Sequence, residues 1–413
     1  MSLNVHTFDS LALRDYRLLW LGQLANAMGI WMDMVARMWL IYTMTHSPLQ
    51  LGLISATQGL PMLLFGIIAG ATADRYGRKI QLIMSQAGNA VLNTIMAILI
   101  LTGSVQPWHL YVTGFLAGSM QAFQMPARQV LVNELVGTKY LLNAISLNSA
   151  AFNFSRSFGP AIGGLLIKLW GVGFCYVGQA ALYIMSTIWT IRMRVPSQYH
   201  SPDQARDARN NRSFLGGIRD GIRYVMLQKV VLALMMLALM PAILGMPFVS
   251  LMPIFAVDVF HGDATTQGSL LMMAGLGALA GSLGMASLGR KRQGSGKFLI
   301  GGAVGFGLSL ILFASSPNLW LAMPFIFVVG FFNSSYMTQN QTIIQTVVPH
   351  EIRGRVLGIY MLNQGLMPAG SFLAGVLATL FGGPKAVAIM GFSCFLLVVA
   401  VGSVEKNFEP EAF

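Results

Sequence analysis

Three ionisable residues lie deep inside apolar runs of this 413-residue chain: Asp33 and Arg37, and further on Arg156. A spacing of four puts Asp33 and Arg37 on one face of a helix and within reach of an ion pair. Each such charge in hydrocarbon costs about 3 kcal/mol or more unless it is paired or wetted. Two readings follow. The pair is neutralised and only fixes packing, or, together with Arg156, it lines a wet central cavity in which the Asp33 carboxylate exchanges a proton as the cavity opens to each side. Polar or aromatic residues at comparable depth are the candidates for substrate contact: Gln23, Asn26, Gln121, Gln124, Phe248, Asn333, Tyr336 and Gln339. For any single one, a hydrogen bond between helices is the plainer role. The six His lie in loops or near the ends of apolar runs, and the two Cys, Cys175 and Cys394, fall inside them. Neither set has ligand spacing, so no metal, haem, other cofactor or disulfide framework is expected.

The elements that must hold these residues are membrane helices. Hydrophobic residues make up 55% of the chain and charged ones 10%, against about 25% charged in a soluble domain. The mean hydropathy is +0.65, and no polar block is large enough for an extramembrane catalytic domain, so an enzyme is excluded. Apolar runs at 16–44, 48–73, 79–102, 107–133, 141–168 and 172–192, then 229–258, 264–288, 297–316, 318–345, 355–381 and 384–404, predict twelve spans. They divide the chain into a six-helix bundle over 1–192, a cytoplasmic linker over 193–228 and a second six-helix bundle over 229–413. In the linker, Phe214, Ile218, Ile222 and Val225 recur at helical spacing after Ser213, which predicts an amphipathic helix lying on the membrane surface.

A net charge of +12 and a pI near 10 would suggest nucleic acid in a soluble protein. Sorted by loop, however, every Lys and Arg except Lys168, Lys385, Arg37 and Arg156 falls on one side. Topology therefore explains the basic charge, both termini are expected in the cytoplasm, and no nucleic-acid partner is implied. The polar stretch Met1–Asp15 leads through Arg14 and Arg17 straight into the first apolar run, which reads as a retained helix and not a removed signal peptide.

A shift of 212 residues carries Gly77-Arg78-Lys79 onto Gly289-Arg290-Lys291, Gln129 onto Gln341 and Gly163 onto Gly375. This is the mark of two bundles related by a pseudo-twofold axis along the membrane normal. Gly70, Asp74, Arg75, Gly77, Arg78 and Lys79 spell G-x-x-x-D-R-x-G-R-K between spans 2 and 3. That string resembles the signature loop of the major facilitator superfamily. The resemblance implies an all-α membrane protein with the major facilitator fold, and a gate in which Asp74 meets Gly354-Arg355 at the start of span 11. The loop of the second half has Ala286 in the carboxylate's place, so the gate is asymmetric.

In span 5, Asn153, Arg156, Gly159, Pro160, Gly163 and Gly164 resemble the Gly-Pro signature of the superfamily's exporters, in the branch that contains enterobactin and macrolide exporters. Thr45-His46-Ser47-Pro48, Leu51-Gly52 and Pro61 occur in that branch's order. The implied role of span 5 is a pliable hinge. A mid-span-4 Arg common in proton-coupled antiporters is replaced by the stretch with Gln121 and Gln124, so proton coupling rests on no motif here. No G-x-x-x-x-G-K-[ST] loop occurs, which leaves an ion gradient as the energy source.

The expectation is a monomeric secondary transporter of a bacterial inner membrane, exporting amphipathic small molecules such as drugs or siderophores against a proton gradient. The 27 Met residues suit an adaptable apolar lining. A lysophospholipid flippase or a solute importer of the same fold is the alternative, with a lipid-like substrate or membrane lipids as partner. A transport-inactive sensor or scaffold is the alternative of another class.

Overall fold

The structure, a computed structural model, describes residues 8–195, 214–287 and 296–404, without the side chains of 67, 68, 70–76, 214–220, 297, 350, 351, 361–364 and 401–404. Ser213, the loop Gly289-Arg290-Lys291 and most of the linker between the bundles lie outside the described residues.

Helices account for nearly all of what is described: α1 (Arg14–Thr45), α2 (Pro48–Tyr76), α3 (Arg78–Leu101), α4 (Pro107–Trp170), α5 (Val172–Arg192), α6 (Phe214–Leu227), α7 (Lys229–Val259), α8 (Ala264–Ser287), α9 (Gly296–Ala314), α10 (Leu319–Val347), α11 (His350–Leu362), α12 (Met367–Phe381) and α13 (Gly383–Val404). Among the described residues, seven helical stretches are long and apolar enough by themselves to cross a membrane. The expected twelve spans are present, with α4 supplying two and α11 joining α12 to make one.

Three departures from an array of separate, regular helices have local causes. Spans 4 and 5 are not separated by a loop; they abut at Gly137, whose φ of 63° and ψ of −178° break α4 into two arms, 107–136, called the inner arm, and 138–170, called the outer arm. Only glycine adopts that conformation at little cost. Within α7, Pro241, Pro247 and Pro253 each remove a backbone donor, and the helix answers with π and 3-10 turns over Pro241–Gly245, Met246–Leu251 and Phe255–Val259. A 3-10 turn, Asn363–Leu366, joins α11 to α12 just before Pro368.

The chain forms two compact units, one of Met1–Leu40 with Thr57–Asn210, the other of Ile41–Ala56 with Asn211–Phe413. In the first unit α3 shows the logic of a helix whose solvent is lipid. Its Gln81, Ser85, Gln86, Asn89 and Asn93 are buried, while Ile80, Met84, Val91, Ile95 and Ile98 are exposed. Backbone groups must be satisfied internally in a membrane, and polar side chains follow the same rule by facing the bundle. The outer arm of α4 is laced to α1: Tyr16 donates to the Ala144 carbonyl at 2.8 Å and Trp20 to that of Leu147 at 3.0 Å. From α5, Ser186 donates to the Gly22 carbonyl at 2.8 Å.

In the second unit Tyr42 donates its hydroxyl proton to the Asp258 carboxylate. Helix α6 packs on α11, its Gly221 facing Arg355 and Ile359. Phe214–Leu227 is helical; Val225 is buried, and Ile222, Met226 and Leu227 are exposed. One edge of this helix is covered by α11. The side chains of Phe214 and Ile218 lie outside those described.

The 212-residue shift reappears in local structure. Gln106 and Asn318 are the N-caps of α4 and α10, and 318 − 106 = 212. The same shift relates Gly118, where a Cβ would strike the Gln58 carbonyl of α2, to Gly330, where it would strike the Ala274 carbonyl of α8.

Candidate functional site

The i, i+4 spacing on α1 does produce an ion pair, and a two-pronged one. Arg37 Nη2 lies 2.9 Å from Asp33 Oδ1 and Arg37 Nε 3.0 Å from Oδ2. Arg37 Nη1 donates to the Leu110 carbonyl and to Thr113 Oγ1, both at 2.9 Å on the inner arm of α4. Gln58 of α2 gives the carboxylate a third donor, Nε2 at 3.2 Å from Oδ2. Asp33 is 5% and Arg37 3% exposed. Buried Tyr176 and Tyr183 of α5 stand within electrostatic reach of both charges.

Every nitrogen of Arg37 therefore has an acceptor, which is the condition under which a buried pair is tolerated. The clamp is shared among three helices. The ion pair itself lies within α1, but Gln58 belongs to α2 and Thr113 to α4, so its flanking hydrogen bonds hold only while α1 keeps its place against both.

Arg156 differs. It sits near the middle of the outer arm of α4, partly buried, with its guanidinium carbon 5.8 Å from the centre of the Trp31 ring of α1. Phe152 meets the same indole edge-on at 5.8 Å. Among the described residues no acid pairs with Arg156.

The span-5 motif explains how this arm approaches α1 so closely. A Cβ on Gly159 would lie 2.7 Å from Trp31 Cβ, and one on Gly163 3.3 Å from Met32 Cα. Small residues four apart let two membrane helices touch at their backbones. Pro160 and Gly164 are buried beside them, and the Asn153 carbonyl accepts from Ser157 at 3.0 Å.

In the signature loop, Gly77 has φ 85° and opens α3. Arg78 pairs with Glu134 of α4. Lys79 Nζ donates to the carbonyls of Ile191 and Met193 at 2.9 and 2.7 Å, and so caps the end of α5. The side chains at Gly70, Asp74 and Arg75 lie outside those described.

Of the substrate-contact candidates, Gln23, Asn26, Gln121 and Gln124 belong to the first unit and Phe248, Asn333, Tyr336 and Gln339 to the second. Asn26 Oδ1, Gln121 Oε1, Gln124 Oε1 and Asn333 Nδ2 are buried without a hydrogen-bond partner. Gln23 is partly buried. Phe248 is buried, Gln339 is buried and engaged, and Tyr336 donates to the Leu237 carbonyl inside its own unit. The repeat shift carries Gln121 onto Asn333 and Gln124 onto Tyr336.

Sequence reasoning missed Gln58, Thr113, Trp31 and Glu134 because no local pattern fixes which faces of two helices meet. It also passed over Arg128. Sorting charges by loop placed that residue on the cytoplasmic edge, yet it is buried at 7% exposure within α4. Its Nη2 lies 3.1 Å from the Gln86 amide oxygen once that amide is turned toward its donors, and its Nε and Nη1 have no partner.

Residues 5–410 match the family described as transmembrane secretion effector. The chain is 24% identical to the staphyloferrin A transporter of Staphylococcus aureus, over 92% of this chain and 94% of that one. It is 29% identical to the multidrug efflux pump Tap of Mycolicibacterium fortuitum, over 90% and 91%, and 23% identical to the enterobactin exporter EntS of Citrobacter koseri, over 90% and 88%. Among solved structures it resembles the nucleoside transporter NupG, with a TM-score of 0.75 at 14% identity over 96% of this chain and 99% of that one. The last likeness bears on the fold alone.

Proposed function

The chain belongs to the transmembrane secretion effector family, a branch of the major facilitator superfamily, and from that premise we propose that this multi-pass membrane transporter is a proton-coupled exporter of amphipathic small molecules. Drugs and siderophores are the substrate types in view. The proposed setting is a bacterial inner membrane, with both termini cytoplasmic and a single chain sufficient for alternating access. The likeness to Tap and EntS along about nine-tenths of the chain supports export.

The observation that carries proton coupling is the buried Asp33–Arg37 pair with its donors on α2 and α4. A movement of α2 against α1 withdraws Gln58 from the carboxylate and loosens the clamp. The freed carboxylate then accepts a proton from the side to which it opens and returns it to the other side in the opposite state. Arg37 keeps its contacts to Leu110 and Thr113 while the proton is held. Asp74 and the loop after α2 serve as the cytoplasmic gate, and the Gly159/Gly163 face of α4 as the surface that slides on α1.

Internal pH of proteoliposomes, followed on addition of a panel of amphipathic compounds, tests this. Wild type is expected to show substrate-triggered proton movement, and Asp33→Asn to lose at least about tenfold of it while remaining folded. Proton movement of equal size in Asp33→Asn, or none in wild type, would overturn the coupling role.

A further inference from the structure

We infer that Arg156 and Trp31 form a recognition site for the anionic group of an amphipathic substrate, so that the preferred cargo is an organic anion with a carboxylate, phosphate or sulfonate head. The inference rests on the transport reading above and narrows its substrate class. Two observations carry it. Arg37 is neutralised by Asp33, whereas Arg156, at similar depth in the outer arm of α4, has no acidic partner and no hydrogen bond among the described residues. The indole face beneath it offers only a partial counter-charge. A lone cation at that depth is costly unless water or an anion reaches it.

The second observation is the indole itself. Trp31 Nε1 is buried with no acceptor, although a buried donor of this kind nearly always finds one. Two unsatisfied donors, a guanidinium and an indole N–H, thus occupy adjoining side chains. Together they suit a single multi-oxygen anion, which accepts from a guanidinium in a fork and from one further N–H.

Around them the surface is apolar: Phe152 packs edge-on to the indole, and Met28 lies against Gly159. An anion with an apolar body matches this combination, whereas an amphipathic cation would face an uncompensated like charge. Arg128 is a different case, because it is tied within its bundle to Gln86.

The test reads binding, with no gradient applied. Purified protein in an uncharged detergent is titrated with dansylaminoundecanoic acid and with its methyl ester, and the dansyl emission is followed. Wild type is expected to bind the acid about tenfold more tightly than the ester. Arg156→Gln should abolish the difference. Arg156→Lys should retain part of it, since the charge survives without the fork, and this variant guards against a folding artefact. Trp31→Phe keeps the ring and removes the N–H, and should weaken the acid severalfold while leaving the ester unchanged.

Equal binding of acid and ester by wild type, or a preference that survives in Arg156→Gln, would overturn the assignment. Repeating the titration in nanodiscs with and without phosphatidylglycerol separates two sources of the anion. Competition that disappears in Arg156→Gln identifies a lipid phosphate, and absence of competition identifies a free solute; both outcomes support an anion site. Because nothing here depends on proton movement, failure of the coupled-export reading and failure of the anion site are distinguishable.

Discussion

At the scale of single residues, the Asp33–Arg37 pair makes an asymmetric prediction. With Asp33→Asn, Arg37 still has the Leu110 carbonyl, Thr113 and the asparagine oxygen to donate to. With Arg37→Gln, the Asp33 carboxylate keeps only the Gln58 donor of those now in place. Removing one member of a buried pair costs about 3–5 kcal/mol when the other is left uncompensated, so Arg37→Gln should approach that loss and Asp33→Asn should fall well short of it. The double variant Asp33→Asn with Arg37→Gln should recover part of the difference. Melting temperatures in detergent rank the three, and a ranking with Asp33→Asn as the least stable would contradict the clamp geometry. The pair was legible because i and i+4 share a face. Gln58, Thr113 and Trp31 were not, since their roles depend on how separate helices are turned toward one another, and sequence periodicity inside each helix is silent on that.

Individual helices carry the next predictions. Gly159 touches Trp31 and Gly163 touches Met32 across the contact between α1 and the outer arm of α4. Gly163→Leu, which meets Met32 and not Trp31, should force these helices apart, cutting transport by at least about tenfold; if the contact is a sliding surface, substrate affinity in detergent should change much less. Equal loss of binding and transport would instead place Gly163 in the pocket. Gly137→Ala tests a different property, backbone conformation. A side chain at φ 63° and ψ −178° is strained by about 1–3 kcal/mol, which should lower the melting temperature without altering substrate preference. Span positions were largely readable from apolar runs, because lipid leaves helices no alternative way to satisfy their backbones. The fusion of two spans into α4 was not, for a one-glycine reversal and a short loop leave the same trace. Neither could the irregular turns of α7 be placed beyond noting its prolines, since which carbonyl is left free depends on the packing around it.

For the whole molecule, the 212-residue repeat and the one-sided distribution of Lys and Arg combine into a single statement about topology: positions related by the shift must face the same side of the membrane. The N-caps Gln106 and Asn318 obey the shift, as do Gly118 and Gly330, yet neither pair says which side is which. Charge supplies the prediction, because basic loops are expected on the cytoplasmic side. Ser104 and Ser315 lie exposed at the ends of spans 3 and 9, and Lys139 and Thr346 lie exposed near the opposite ends of spans 5 and 10. Cys175 and Cys394 are both buried and can be replaced by Ala to give a background without thiols. Single cysteines at Ser104 and Ser315 should then react with a membrane-impermeant maleimide applied to intact cells. Cysteines at Lys139 and Thr346 should react only after permeabilisation. Labelling of Ser104 and Ser315 from opposite sides would break the repeat, whereas reversal of all four would keep the repeat and place both termini outside. The outcome also decides how the Arg156 site is approached, because Arg156 lies between Gly137 and Trp170, the two ends of the second span within α4, and the labelling assigns each of those ends to its side.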